Sequence, residues 1–251
     1  MFVKVIKTRV FREKERLLPF IQEYLDRRGG LREGAILVVT SKIVALAEGR
    51  AREITSPATR EKLIKAESQW AMKTKYTWLT VKDGTVMSSA GVDESNARGK
   101  IILLPRDSFR SAAAIRRALM TRYRLKRLGV LVSDSRLLPL RAGIVGIALG
   151  YAGFRGVRDY RGTPDIFGRI LKLSRTDVAD GLATAAVLEM GEGAEQQPLA
   201  IITGAPVAFT DTVDRYELAI DPREDIYQPI FEKIRKIRLI KAGRRAARST
   251  K

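Results

Sequence analysis

Short apolar runs along the chain predict a set of buried β-strands. Runs of four to six residues, mostly β-branched or aliphatic, occur at Phe2–Ile6, Ala35–Thr40, Ile101–Leu104, Gly129–Ser133 and Leu199–Thr203. The strand at 129–133 is expected to end abruptly at Asp134. Alternating arms in Tyr76–Met87 flank Asp83-Gly84, a strong turn pair, and predict a β-hairpin.

Helical spacing of apolar residues predicts helices between these strands. The predicted helices are Glu13–Arg28, stopped by Gly29-Gly30, then Ser56–Thr74, Phe109–Leu128 and Asp177–Met190, the last ended by Gly191. Ser41 follows a predicted strand directly and is expected to cap a short helix.

The order of these elements predicts the fold class. Helices and strands alternate irregularly around an antiparallel hairpin, which favours a mixed α/β (α+β) layer fold. Glycines recur every few positions in Gly143–Val157, which indicates close backbone approach, bulges or strong curvature. We expect one α/β domain over residues 1–231 and a basic C-terminal tail over residues 232–251.

Composition narrows the chemistry. The 251 residues include no Cys and no His, which excludes thiol catalysis, zinc ribbons and a Ser-His-Asp triad. The 47 Lys and Arg residues against 28 Asp and Glu give a net charge of +19, which indicates a polyanionic partner such as nucleic acid, a nucleotide or an acidic peptide. Two basic runs stand out, at Arg106–Leu128 and from Glu232 to the C-terminus. Each is open to two interpretations, a solvated surface or a polyanion contact.

The same patterns give an expectation for location. The longest apolar stretch, Gly143–Phe154, is too short for a membrane span of roughly 20 residues. The N-terminal segment lacks the apolar core of a signal peptide. We expect a cytoplasmic protein without a membrane contact.

Three acidic residues lie where functional sites are usually found. Asp93 lies in a loop of small polar residues, Asp134 follows an apolar strand, and Glu192 stands between two glycines just after a helix. Carboxylates, together with the hydroxyl of Ser135, suit Mg²⁺ or Mn²⁺, which prefer oxygen ligands. Each position also has a purely structural interpretation: Asp93 and Asn96 as turn residues, Asp134 as a helix cap and Glu192 as a surface acid.

Seven segments, in order, resemble a known family. They are VVTSKIVALAEGR (38–50), SSAGVDESN (88–96), LGVLVSDS (128–135), RAGIVGIALGYAGF (141–154), RDYRGTPDIFGR (158–169), TDVADGLATAAVLEMGEG (176–193) and PLAIITG (198–204). This arrangement is similar to that of the coenzyme F420:L-glutamate (γ-glutamyl) ligases, which add glutamate to a deazaflavin coenzyme.

The resemblance implies a fold, an assembly and a reaction. It implies a compact fold that is neither Rossmann nor P-loop, paired as a homodimer with the active site near the subunit interface. The implied reaction transfers the γ-phosphoryl group of GTP or ATP to an acceptor carboxylate, and L-glutamate then displaces phosphate to form an amide. Two divalent ions, Mg²⁺ or Mn²⁺, would neutralise the phosphates.

The resemblance also assigns roles to residues. Asp93 and Asp134 would bind one metal ion, and Ser135 and Glu192 the second, while Arg141 is a further candidate catalytic residue. The nucleotide-binding candidates are Ser41, Asn96 and the loop from Met190 to Gln197, including Gly191 and Gly193.

The chain departs from the family pattern near the nucleotide and the acceptor. It lacks the N-terminal Gly-Leu-Pro loop, and it has Leu46, Leu137 and Leu138 where the family has lysine, glycine and arginine. These departures slightly favour an acceptor other than the deazaflavin, either a polyglutamate chain or the acidic end of a protein such as a ribosomal one. The alternative is a family member that has lost catalysis and binds RNA or the ribosome.

Overall fold

The computed structural model describes residues 1–231 of the chain. Its strands are β1 Phe2–Ile6, β2 Ala35–Thr40, β3 Ala51–Glu53, β4 Trp70–Lys73, β5 Trp78–Lys82, β6 Thr85–Ser88, β7 Lys100–Ile102, β8 Leu128–Leu137, β9 Ile144–Ala152, β10 Val157–Asp159, β11 Arg175–Asp177 and β12 Leu199–Thr203. Its helices are α1 Leu17–Asp26, α2 Ser41–Ala47, α3 Pro57–Glu67, α4 Ser108–Tyr123, α5 Val178–Met190 and α6 Gln228–Phe231.

A five-stranded mixed sheet organises the molecule. Its strand order is β1-β12-β2-β8-β9, in which β2 and β8 run parallel and the other neighbours run antiparallel. Three smaller sheets pair β10 with β11, β3 with β7, and β4 through β6. The prediction of a mixed α/β fold is therefore confirmed.

Strand β2 at the centre of the sheet is buried on both faces because it is apolar at every position from Ala35 to Val39. Leu37 and Val39 of β2 pack in a core with α1, α2 and α4, whereas Ile36 and Val38 pack in a second core with α5. Successive side chains of a strand point to opposite faces, so one run of β-branched residues serves both cores. Each fully buried Val, Leu or Ile contributes about 1.5–3 kcal/mol relative to an exposed one.

Several predicted element bounds were wrong. Helix α1 begins at Leu17 and α4 ends at Tyr123, so both are shorter than their periodicity indicated. The predicted helix 56–74 ends at Glu67, and Trp70–Lys73 is instead a strand that pairs with β5. Strand β8 does not end at Asp134 but continues to Leu137, because β9 pairs with it along this whole length.

The glycine-rich segment behaves as its composition predicted. The register between β8 and β9 shifts at Val132/Ser133, which marks an irregularity in the ladder. A Cβ at Gly146 would collide with a main-chain carbonyl of α5, and one at Gly150 with the main chain at the start of α4. These glycines let both helices approach the edge strand closely.

The topology creates a polar edge at the end of the sheet where strands β2 and β8 finish. The parallel strands β2 and β8 reach their carboxyl ends side by side, with Thr40 opposite Ser133. Strand β12 begins at the same edge, because Leu199 pairs with Val39. Segments that follow β2 and precede β12 therefore meet next to Asp134.

The sequence also predicts a basic tail and no membrane contact. The basic tail over residues 232–251 lies outside the described residues, so its contact with a polyanion stays a prediction. Among residues 1–231, no helix is both long enough and apolar enough to cross a membrane.

Candidate functional site

Asp134 is the carboxylate at the centre of the polar edge. It lies on β8 just past the end of β2, and its Oδ1 accepts a hydrogen bond of 3.1 Å from Ser41 Oγ. Ser41 is the first residue of α2; Thr40 occupies the N-cap position, so the expectation that Ser41 caps this helix was wrong. Burial raises the pKa of Asp134 to about 6, partly offset by the Ser41 hydrogen bond and the Arg136 charge.

Asp93 approaches the same edge from a constrained loop. Its main chain pairs with Ile102 of β7 in both directions, at 3.0 and 2.8 Å. The preceding turn at Ser89–Gly91 depends on Gly91, whose φ is +70° and whose Cβ, if present, would lie 2.5 Å from Leu104 Cγ. Asp93 Oδ1 accepts from the Ser95 main-chain N–H at 2.7 Å, so the turn interpretation of Asp93 is also correct.

Lys42 neutralises Asp93. Its Nζ lies 2.6 Å from Asp93 Oδ2 and donates to the carbonyl oxygen of Ser95 at 2.9 Å. Burial by itself would raise the pKa of Asp93, but the Lys42 ammonium and the Ser95 hydrogen bonds together hold it below its usual value. Lys42 thus ties the first turn of α2 to the Asp93 loop.

Glu192 reaches the edge from the loop after α5. Its Oε2 lies 3.4 Å from Ser135 Oγ, so the structure brings together the two residues expected to share a metal ion. Although Glu192 is exposed on one side, the surrounding protein removes part of its solvent and raises its pKa. The carboxylates of Asp93 and Glu195 raise it further, whereas Ser135 and Lys42 lower it.

Of the expected nucleotide-binding residues, Asn96, Gly191 and Gly193 lie in loops, whereas Met190 lies in the core. Asn96 Nδ2 donates to the carbonyl oxygen of Gly193 at 3.1 Å, which joins the Asp93 loop to the loop after α5. Gly191 ends α5 with a φ of +78°, and the Gly193 N–H donates to the Glu195 carboxylate at 2.8 Å. Met190 differs, because its side chain is buried in the core beneath α5.

Asp93 acts electrostatically on the two other site carboxylates. Its charge raises the pKa of both Asp134 and Glu192, which places it within electrostatic range of each. Among residues 1–231, however, no three acidic side chains already converge at metal-coordination distance. The donor set still fits a hard divalent ion, because it is made of oxygens and because Asp134 is a largely desolvated carboxylate with no cation bonded to it.

The remaining expected residues lie apart from the carboxylates. Arg141 is exposed in the turn between β8 and β9, and no side-chain contact within residues 1–231 joins it to Asp93, Asp134 or Glu192. Leu137 and Leu138 are exposed at the same turn. Leu46 instead packs against the core of α1, α2 and α4.

The sequence analysis missed two cationic residues of the site. Lys42 is adjacent to Ser41, and its position in the first turn of a helix that follows a central strand was the available signal. Arg136 lies two residues after Asp134 on β8, and strand alternation from Asp134 could have identified it.

Comparison with known proteins supports the family that the seven segments resemble. The family model described as F420-0:Gamma-glutamyl ligase matches residues 5–204. The coenzyme F420:L-glutamate ligase of Archaeoglobus fulgidus is 32% identical over 224 residues, which cover 82% of this chain and 89% of that protein. The enzyme of the same name from Methanopyrus kandleri is 34% identical over 203 residues, 73% of this chain and 80% of that protein.

A third relative matches over a shorter region. The coenzyme F420:L-glutamate ligase of Methanococcus maripaludis strain S2 is 40% identical over 147 residues, which span 59% of this chain and 58% of the relative. The family match covers the central sheet, the Asp93 loop and the loop after α5. The chain therefore belongs to the F420-0:gamma-glutamyl ligase family, a family of ligase enzymes.

Proposed function

We propose that the protein joins L-glutamate to an acceptor carboxylate through an amide bond, with a nucleoside triphosphate as co-substrate. The observation that carries this proposal is that Asp93, Asp134 and Glu192 lie on segments that reach the carboxyl edge of β2 and β8, where Asp93 raises the pKa of the other two. Carboxylates that repel one another in this way are unfavourable in isolation, and a bound cation offsets that repulsion.

The proposed reaction has two steps. An oxygen of the acceptor carboxylate attacks the γ-phosphorus, the bond from that phosphorus to the β-γ bridging oxygen breaks, and nucleoside diphosphate leaves with an acyl phosphate remaining. The amino nitrogen of glutamate then attacks the acyl carbon, phosphate departs, and the amine proton passes to the phosphate. Enzymes accelerate phosphoryl transfer chiefly by positioning and by stabilising charge.

In the proposed site, the residues divide the work by position. Asp93 and Asp134 would hold one Mg²⁺ or Mn²⁺, and Ser135 and Glu192 the other; these ions, when bound, supply the positive charge that the phosphates require. Ser41 keeps Asp134 oriented, and Lys42 would turn from Asp93 toward the phosphates once a metal occupies that carboxylate. Asn96 and the loop from Met190 to Gln197 would enclose the nucleotide, either GTP or ATP.

The acceptor divides the proposal into two branches. One is the deazaflavin precursor, as the names of the relatives indicate for those proteins. The other is a polyglutamate chain or the acidic end of a protein, which the net charge of +19 and the residues Leu137 and Leu138 favour slightly. A basic protein retains a polyanionic product between successive additions.

Mass spectrometry of the reaction tests this proposal. Purified protein would be incubated with L-glutamate, GTP or ATP, and Mg²⁺ or Mn²⁺, with no acceptor, the deazaflavin precursor or a peptide ending in glutamate. Product masses rising in steps of one glutamate residue would support the ligase, and the productive tube would name the acceptor. Asp134→Asn is the inactive control, and Asp159→Asn, a change on exposed β10, is the matched active control. Absence of product and of nucleotide consumption in every tube would contradict the proposal.

We also propose that the protein pairs as a homodimer through an apolar surface near the site. The turn between β8 and β9 exposes Leu137, Leu138, Leu140 and Ile144, and the segment 160–174 exposes Ile166, Phe167 and Leu173. Exposed apolar patches of this kind are typical of protein interfaces. Light scattering on wild type and Leu140→Glu tests it: a dimer that becomes a monomer supports the proposal, and a monomeric wild type contradicts it.

A binding function is the second candidate. The edge of the sheet opposite the carboxylates, where β2 and β8 begin, carries exposed Arg28, Arg32, Arg124 and Lys126. Arginine-rich surfaces bind nucleic acid phosphates with a strong salt dependence. RNA binding that weakens steeply with salt, without any ligation, would favour this alternative.

A further inference from the structure

Three buried polar atoms without partners lie on segments that reach the carboxylate edge. Within residues 1–231, the buried side-chain atoms that lack a hydrogen bond are Ser133 Oγ, Arg136 Nε and Gln197 Oε1. Ser133 and Arg136 flank Asp134 on β8, and Gln197 precedes Pro198, whose carbonyl accepts from the Thr40 N–H at 3.0 Å. Because buried polar groups are nearly always paired in folded proteins, an unpaired polar atom beside the site indicates a place where a ligand completes the hydrogen bonds.

Arg136 is the charged residue among these three. Burial lowers its pKa, and the carboxylates of Asp180 and Asp134 offset this only through space, because no ion pair joins Arg136 to either within residues 1–231. A half-buried guanidinium whose enclosed Nε–H has no acceptor is unfavourable, because that donor loses its water without gaining a partner. The local fold provides no neighbouring oxygen that removes this cost.

Arg136 lies in the part of β8 that extends beyond the end of β2. Strand β2 ends at Thr40, opposite Ser133, but the β8–β9 hairpin continues past it, and Arg136 pairs with Val145 in this overhang. Asp134 and Arg136 are two residues apart on one strand and therefore share a face.

We propose that Arg136 binds a carboxylate group of one of the two substrates that the amide bond joins. This inference rests on the proposed ligase function. A guanidinium presents Nε–H and one Nη–H as parallel donors, which match the two oxygens of a carboxylate. The group bound is either a carboxylate of L-glutamate or one of the acceptor, and the residue places it beside Asp134.

Ligand-induced thermal stabilisation tests the inference without requiring turnover. Wild type, Arg136→Met and Arg136→Lys would be titrated, in Mn²⁺ and a non-hydrolysable nucleotide analogue, with L-glutamate, with the deazaflavin precursor and with a peptide ending in glutamate. For one of these carboxylates we expect the Kd to rise at least tenfold in Arg136→Met and severalfold in Arg136→Lys, which keeps the charge but loses the paired donors. The nucleotide Kd should change less than twofold.

A control variant at another arginine, and two outcomes that would contradict the inference, complete the test. Arg223→Met removes an exposed arginine that pairs with Asp221, outside the site, and should leave every Kd unchanged. Unchanged carboxylate affinities in both Arg136 variants, or an equal loss of nucleotide affinity, would overturn the inference. If Arg136→Met does not fold, Arg136→Lys and Arg136→Gln decide the question.

The inference and the proposed function fail separately. Glutamate or acceptor binding that depends on Arg136, with no product from wild type in any tube, would leave the carboxylate site standing and remove the ligase. Product formation by wild type with an unchanged KM for both carboxylate substrates in Arg136→Lys would support the ligase and contradict the carboxylate site at Arg136.

Discussion

Ser41 donates a hydrogen bond to Asp134 across 93 positions of sequence, from the first turn of α2 to strand β8. The bond exists because β2 and β8 are parallel neighbours whose carboxyl ends coincide. It favours the ionised form of a carboxylate whose pKa burial nonetheless raises to about 6.

Replacing Ser41 by Ala should move the acid limb of the pH–activity profile upward. Loss of the donor destabilises the ionised carboxylate, so the pKa of Asp134 should rise by about one unit, equivalent to about 1.4 kcal/mol. Activity should fall most below about pH 7 and recover at higher pH. The measurement is kcat/KM against pH. Ser111→Ala, which removes a hydroxyl bonded to Glu48 on another part of the fold, is the control and should leave the profile unchanged.

Asp134→Asn should stabilise the metal-free protein at neutral pH while abolishing activity. The folded-state pKa of about 6 exceeds the unfolded value of about 3.9, so the wild-type free energy of unfolding decreases as pH rises from about 4 to about 6. A neutral Asn lacks this decrease. At about pH 7.5 with a chelator present, we expect the variant to be more stable by up to about 3 kcal/mol.

Urea unfolding of both proteins across this pH range measures the difference. Asp177, whose pKa burial also raises to about 6, titrates in the same window, but it is common to both proteins and cancels. Asp159→Asn is the matched control, since Arg161 lowers the pKa of Asp159 to about 2. A variant less stable than wild type at neutral pH would contradict the assigned burial of Asp134.

Lys42→Met should strengthen binding of Mn²⁺ alone and weaken binding of the nucleotide. The Lys42 ammonium occupies Asp93 Oδ2, so a divalent ion must displace it. Its removal should lower the Kd for Mn²⁺ severalfold, measured by titration calorimetry, and raise the KM for the nucleotide. Lys100→Met removes an equivalent ion pair with Glu13 outside the site and should change neither value. Weaker Mn²⁺ binding in Lys42→Met would show that Asp93 is not a metal ligand.

Gly91→Ala should destabilise the protein and displace Asp93. The new Cβ combines a φ of +70° with a 2.5 Å approach to Leu104 Cγ, which together should cost about 2–4 kcal/mol. Gly99→Ala shares the positive φ, at +77°, but meets no atom within 4 Å, so it should cost only about 1 kcal/mol. Urea unfolding compares the two. Equal losses would mean that the Leu104 contact relaxes without cost.

The sequence by itself determined the central strands, the hairpin at Asp83-Gly84 and the candidate acids. Apolar runs such as Ala35–Thr40 form strands because burying apolar side chains on both faces of a central strand is favourable. Local pattern was insufficient at Trp70–Lys73, where pairing with β5 decided for strand against helix. It was also insufficient at Asp134, because the length of β8 depends on the partner strand β9.

Only the tertiary structure decided how the site is assembled. Lys42 contacts Asp93, Asn96 bonds to Gly193, and Arg136 Nε has no partner within residues 1–231. No local periodicity of the sequence relates these groups. The partners of a side chain at this edge follow from strand order and register, which are properties of the folded sheet. Residue types in order along the chain therefore predicted which chemistry is present, whereas the parallel pairing of β2 with β8 decided which groups meet.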